Sequence, residues 1–165
     1  MRNSTWWLVG VAICVLAFSP AAVPAQDSSE HKHGAADGVI KERHELMEAM
    51  GQYAEDINLA RKVGVEGQDT GAIATMASQI ATNAAKIPGL FPKGSTSPDS
   101  RAKADIWQDW ATFEADAKKL QQDAAALAQT ANTGGEGIGS AADTLFKACK
   151  KCHDQFRKPE EKKGE

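Results

Sequence analysis

Four stretches of the chain repeat apolar residues every three or four positions, and helix-breaking residues separate them. This spacing places the apolar side chains on one face of an α-helix, and the period-two alternation typical of strands is absent from the sequence. The predicted helices run over about 39–63, 70–86, 97–131 and 140–158, with Pro- or Gly-containing stretches after the second and third. An antiparallel four-helix bundle buries four such stripes most simply, so we predict an all-α protein of this architecture.

The last predicted helix contains the motif Cys149-Lys150-Lys151-Cys152-His153. CxxCH is the pattern of covalent haem c attachment, in which each thiol adds to a haem vinyl group. The histidine that follows then offers one imidazole nitrogen to the iron. Both cysteines share the apolar stripe of that helix and His153 borders it, so we predict that the tethers and the ligand point into the bundle.

Three other interpretations compete for the CxxC pair. A thioredoxin-like redox pair normally follows a strand within a βαβ pattern, and no strand is predicted. A structural zinc ion needs four protein ligands, and beyond the motif only His31, His33 and His44 remain. A disulfide between Cys149 and Cys152 would close a very short loop, which stabilises little and leaves the histidine without a role.

Residues 1–25 have the composition of an export signal. Arg2 precedes an apolar run from Trp6 to Phe18, and small residues stand at the two positions that a signal peptidase reads, before a predicted cut after Ala25. The run is too short for a membrane span of about 20 residues. We therefore predict a cleaved signal peptide, a periplasmic protein and no integral membrane segment, and Cys14 leaves with the signal.

The predicted organisation is a signal peptide (1–25), a flexible N-terminal tail (26–38), one bundle domain (39–158) and a C-terminal tail (159–165). His31 and His33 lie in the polar tail, where solvation is the simpler interpretation than metal binding. The formal charge of the whole chain is −3, and loss of the signal removes Arg2 but no acidic residue. Nucleic acid, which favours a basic face, is therefore not a predicted partner.

With its four helices and a CxxCH at the C-terminal end, the chain resembles the class II c-type cytochromes, the cytochrome c′ superfamily. The resemblance extends over nearly all of the chain after the signal, and its specific part is the CxxCH. Supporting matches are Arg43 with Met47 four residues later, residues 87–92 (IPGLFP), Ile106-Trp107 with Phe113, and residues 152–157 (CHDQFR).

The resemblance also implies two alternatives for the sixth position of the iron. In the cytochrome c′ branch this position is open and binds nitric oxide or carbon monoxide, and in the low-spin, c-556-like branch a first-helix methionine closes it. Met47 holds that position here, on the predicted core stripe, so we predict it as the second axial ligand. Packing alone is the competing role for a core methionine, and it is the role we assign to Met50 and Met76.

Two arginines are further candidates for haem contact. The resemblance suggests that Arg43 pairs with a haem propionate and that Arg157, four residues after His153, reaches the proximal side or a propionate. Each has a simpler alternative, since Arg43 could lie at the surface and Arg157 could complement the helix dipole. Trp107 and Trp110 are predicted to be ordinary core residues, and His44 to be exposed.

These expectations combine into one functional prediction. The chain is an exported cytochrome with one haem c that carries single electrons through iron ligated by His153 and Met47, and its partners are unidentified redox proteins. The alternative is a five-coordinate gas-binding protein. We predict no enzymatic activity, because acid–base groups for it cannot be assembled from so few histidines. Dimers are common among the proteins it resembles, which leaves a homodimer open.

Overall fold

A computed structural model describes residues 30–62, 69–98 and 100–159, with side chains described from Gly38 onward. It contains the helices α1 (Glu30–Ala60), α2 (Thr70–Ala84), α3 (Asp105–Gln108), α4 (Trp110–Asn132) and α5 (Ile138–Phe156), and a short 3₁₀ turn at Pro88–Leu90. The described part of the chain forms no strand, and none of its helices is long and apolar enough to cross a membrane. The predicted signal peptide and most of the C-terminal tail lie outside the described residues.

The four long helices run alternately up and down. Arg61, just after α1, bonds Asp143 near the start of α5, and Gly135, after α4, lies against Thr70 at the start of α2. At the opposite end, Asp109 before α4 lies against Gln155 near the end of α5. Helix α4 packs extensively on α2 and α5, and α2 packs on α1, while α1 and α5 touch much less. This is the predicted antiparallel bundle.

The interior consists of the predicted apolar stripes. Each large aliphatic side chain that is removed from water contributes about 1.5–3 kcal/mol to folding, so this core supplies most of the driving force. Small alanines on α2 and α4, which include Ala77 and Ala124, let those two helices approach closely. The largest fully buried side chains come from all four long helices and from α3: Ile57, Ile73, Ile80, Ile106, Leu127, Ile138 and Leu145.

The third predicted helix differs from the prediction at its start. Residues 97–98 and 100–104 are not helical, because the backbone around Ala102 pairs with the end of α5 in an isolated bridge to Arg157. Helix α3 is then separated from α4 by Asp109, whose carboxylate accepts the Thr112 N–H at 3.4 Å and caps α4. An N-terminal cap of this kind favours the start of a separate helix, α4, over the continuation of α3.

The other helix ends lie close to their predicted positions, with one exception. Asp69 caps α2 by accepting the Ala72 N–H at 2.9 Å, and α5 begins after Gly137, whose φ of 86° favours glycine. Helix α1, however, begins at Glu30 and not near Val39. Residues 30–38, expected to belong to a loose tail, are therefore helical in the structure.

Candidate functional site

The two cysteines of the CxxCH motif lie half-buried on α5 as free thiols, packed against the core. Burial raises the pKa of both thiols to about 11, and the nearby carboxylates of Asp123 (toward Cys149) and Asp116 (toward Cys152) raise it as well. A redox-active CxxC pair has a lowered thiol pKa so that one thiolate can attack. The electrostatics of this motif therefore oppose the thioredoxin-like alternative.

His153 is exposed, so the prediction that it points into the bundle is wrong. It lies beside the core stripe of α5, far enough round the helix that its side chain emerges at the edge of the bundle. Partial shielding of the ring lowers the pKa of His153, the positive charges of Arg157 and Arg101 lower it further, and Asp154 opposes them. The neutral imidazole, the form that binds a metal, is thereby favoured.

The lysine before the second cysteine ties the motif to α4. Lys151 Nζ donates to Asp116 Oδ1 at 2.6 Å, and this bond raises the pKa of the Lys151 ammonium. Asp116 is buried, and its Oδ2 has no hydrogen-bond partner among the described residues. A buried carboxylate therefore lies close to the Cys152 tether.

The edge of α1 that faces α5 carries Met47. Residues seven apart lie on nearly the same side of a helix, so Met47, Ala54 and Arg61 form one stripe. Arg61 at the end of this stripe contacts α5, since its guanidinium bonds Asp143 at 2.7 Å and lies 5.3 Å from the centre of the Phe146 ring. Met47, at the other end, is half-buried and packs against the core.

The facing edge of α5 carries His153 by the same spacing. Gly139, Phe146 and His153 are seven apart, and the first two contact Arg61. Antiparallel helices rise equally, about 1.5 Å per residue, so the part of α5 that contains His153 lies opposite the part of α1 that contains Met47. Helical spacing therefore places the two predicted ligands at matching heights on α1 and α5, two helices that contact each other little.

Arg43 is not at the surface. It is only 5% exposed, and its guanidinium donates to the carbonyl oxygens of Leu90 and Ser95 and to the Ser95 hydroxyl, while it stacks 3.8 Å from the centre of the Phe91 ring. Its contact with a propionate stays a prediction. Arg157 is exposed, and its backbone pairs with Ala102; a haem contact of its side chain likewise stays a prediction.

The remaining candidates take ordinary positions. Trp107 and Trp110 are half-buried beside the core, His44 is exposed on α1, and Met50 is 7% exposed in the core. Within the described ranges, no group of three or more His, Cys, Asp and Glu side chains is arranged to hold a metal ion. The side chains of His31 and His33 are not among those described.

Comparison with known proteins assigns this arrangement to a family. The family model described as Cytochrome C′ matches residues 38–157, from the first helix to the residue after α5. The chain belongs to the cytochrome c′ family. It is thus a class II cytochrome, as the sequence predicted.

Individual members of the cytochrome c′ family show the same relationship. The chain is 32% identical over 122 residues to cytochrome c-556 of Agrobacterium fabrum, covering 74% of this chain and 82% of the relative. It is also 32% identical over 122 residues to cytochrome c′ of Rhodospirillum rubrum, covering 72% and 80%. A solved structure of cytochrome c′ from Shewanella frigidimarina is 30% identical, with a TM-score of 0.68 over 75% of this chain and 97% of that one.

The residues of this class II cytochrome fit one covalently bound haem c. The cysteines at 149 and 152 are free thiols one helical turn apart, and the neutral form of the adjacent imidazole is favoured. When bound, the haem supplies an iron that changes oxidation state by one electron or binds a small ligand at an open position. Cys149, Cys152 and His153 would hold the group from α5, and Met47 on α1 is the predicted second ligand.

Two features of the cytochrome site, and one contact at the opposite end of the bundle, were missed in the sequence. The buried partners of Arg43 were not found, because no sequence pattern links α1 to a loop some fifty residues away. The Lys151–Asp116 pair was also missed, although Asp116 lies on the apolar stripe of α4, where a carboxylate is unusual. Arg61 could have been found, since it continues the seven-residue spacing from Met47.

Proposed function

We propose that this cytochrome is an exported carrier of single electrons whose haem iron is ligated by His153 and Met47. The observation that carries the proposal is Met47 itself, a methionine that is half-buried on α1 and packs against the core. A thioether there closes the iron's sixth position and favours the ferrous state, which raises the reduction potential. A six-coordinate iron keeps its ligands in both oxidation states and exchanges electrons with little rearrangement.

The alternative function is binding of nitric oxide or carbon monoxide at an open sixth position. Sequence similarity does not separate the two, because a c-556 and a c′ relative are equally identical to this chain. The presence of methionine at position 47 favours electron transfer. The location in the periplasm, the absence of enzymatic activity and the homodimer remain predictions.

Redox partners are proposed to approach the end of the bundle that contains His153. The residue is exposed there, so the proximal side of the haem would lie close to the protein surface. Electron exchange is favoured by a short distance between the redox centres. A partner that docks at this end would bring its own centre close to the haem. The partners themselves are expected to be redox proteins of the same compartment.

The test compares Met47→Leu with Met50→Leu in the holoprotein. Both changes replace a methionine on α1 by an apolar side chain of similar size, but Met50 is buried in the core. We expect the wild type and Met50→Leu to be low-spin and to show the thioether-to-ferric charge-transfer band. Neither should bind carbon monoxide. Met47→Leu should become high-spin and bind the gas in its ferrous form.

Two results would contradict the proposal. A wild-type spectrum that is high-spin and shifts with carbon monoxide would establish the open-site alternative. Loss of the charge-transfer band in Met50→Leu, with retention in Met47→Leu, would make Met50 the ligand.

A further inference from the structure

Arg43 is a buried charge whose hydrogen bonds all go to one loop. Its Nε and Nη2 donate to the Leu90 carbonyl at 3.0 and 2.8 Å, and its Nη2 donates to the Ser95 hydroxyl at 2.7 Å. Both guanidinium Nη atoms also lie 3.3 Å from the Ser95 carbonyl. Because an unpaired buried charge is costly, these bonds fix α1, at a point near its middle, to residues 90–95.

The same loop is fixed to the rest of the bundle by aromatic rings. Phe91 stacks under the Arg43 guanidinium and contacts Phe113 of α4, with ring centres 4.8 Å apart. Phe113 in turn contacts Phe156 at the end of α5 at 5.4 Å in an edge-to-face arrangement. All three rings are at most 5% exposed, so the contacts form a continuous buried connection from α1 to α5, which we name the Arg43–Phe156 link.

Each end of this link lies within one helical turn of a predicted axial ligand. Arg43 precedes Met47 by four residues on α1, and Phe156 follows His153 by three on α5. Direct contacts between α1 and α5 are few, so the separation of the two helices at this end depends on the link together with the packing of α1 on α2 and of α2 on α4. We infer that Arg43 is a positioning residue that holds Met47 at bonding distance from the haem iron; this inference rests on the proposed function.

Geometry, more than charge, makes arginine the suitable residue. A planar guanidinium donates to two acceptors while one face stacks on a ring, and an ammonium cannot do both. Lysine at position 43 would keep the positive charge and lose the link. If Arg43 served instead as a charge partner of a propionate, lysine would substitute for it.

The test measures the charge-transfer band, the reduction potential and carbon monoxide binding in Arg43→Lys, Arg43→Gln and Ser95→Ala holoproteins. We expect both Arg43 variants to lose most of the band, to show a lower reduction potential and to bind carbon monoxide at least roughly tenfold more tightly, because a larger fraction of iron has an open position. Ser95→Ala removes one hydrogen bond and should show a smaller change of the same kind.

Arg61→Gln is the matched control. Arg61 is also a partly buried arginine associated with α1, it bonds a neighbouring helix, and it lies at the opposite end of the bundle. Its replacement should lower stability to urea and leave the band, the potential and gas binding unchanged.

The outcomes separate this inference from the proposed function. A wild-type protein that binds carbon monoxide readily overturns both. A low-spin wild type whose Arg43→Lys variant keeps the band and the potential overturns the positioning role alone, and points to charge pairing. If the Arg43 variants fail to retain haem, an unchanged Ser95→Ala spectrum overturns the inference.

Discussion

Replacement of Phe113 by leucine tests the contribution of ring geometry to the stability of the haem-site end. Phe113 is 2% exposed and contacts three other rings, Phe91 at 4.8 Å and Trp110 and Phe156 at 5.4 Å each. Leucine retains most of the apolar burial but loses these contacts, each worth about 0.5–1.5 kcal/mol in an isolated pair. Because one ring serves all three, we expect the free energy of unfolding to fall by about 1–3 kcal/mol.

Urea unfolding of the holoprotein measures this loss with two probes, helical circular dichroism and haem absorbance. The control is Leu127→Ala, at a fully buried position nearer the other end of α4, which should lower the free energy of unfolding by about 2–5 kcal/mol. Only Phe113→Leu should alter the haem spectrum before the helices unfold, since only Phe113 belongs to the Arg43–Phe156 link. A loss below about 0.5 kcal/mol in Phe113→Leu would refute the reasoning, because apolar burial alone would then account for the contribution of Phe113 to stability.

Further predictions concern the helix ends and the thiols. Gly135→Ala should cost more than Gly94→Ala in urea unfolding: both glycines have a φ of 83°, where alanine costs about 1–2 kcal/mol, but only at Gly135 would a Cβ meet the Thr70 Cγ2, at 3.0 Å. Equal costs would contradict this. Asp69→Ala should lower the free energy of unfolding by about 1 kcal/mol through loss of the α2 cap, and an unchanged midpoint would refute it. Finally, because burial raises the pKa of both cysteine thiols to about 11 from 9.0, the stability that these two neutral thiols contribute to the haem-free chain is fully present below pH 9 and is lost as the pH rises through 11. The holoprotein, whose sulfurs are thioethers, should lack this loss, and parallel curves for the two forms would contradict the assignment.

The bundle and the half of the site that the CxxCH motif forms on α5 were predictable, because both depend on local sequence. Periodicity identified the helices that bury Ile73, Ile80 and Leu145, and breakers such as Pro88 marked where the chain reverses. CxxCH is a five-residue pattern that itself contains the groups needed for haem c attachment, two thiols and one imidazole. The family assignment confirmed the fold and the cofactor.

The other half of the site, around Arg43 and Met47 on α1, depends on contacts between residues far apart in the chain. Arg43 is buried and bonded to Leu90 and Ser95, which the sequence does not indicate, while its contact with a propionate stays a prediction. The start of the third helix was misplaced for the same reason, since residues 101–103 pair with the end of α5. Neither partnership leaves a signal in the local sequence.

The two halves of the site also differ in how firmly the protein holds them. Helix α5 carries the tethers and His153 on one rigid element that packs extensively on α4, so the proximal geometry follows from the motif itself. Met47 is on α1, which packs on α2 and is connected to α5 by Arg61 at one end and by the Arg43–Phe156 link at the other. Under the proposed function, iron coordination is thus decided by how α1 is held as much as by the residue at position 47. A loosened link would open the sixth position with the methionine still present and the bundle intact. The same fold and the same residue at position 47 would then give a closed or an open iron site, according to how firmly the link holds α1.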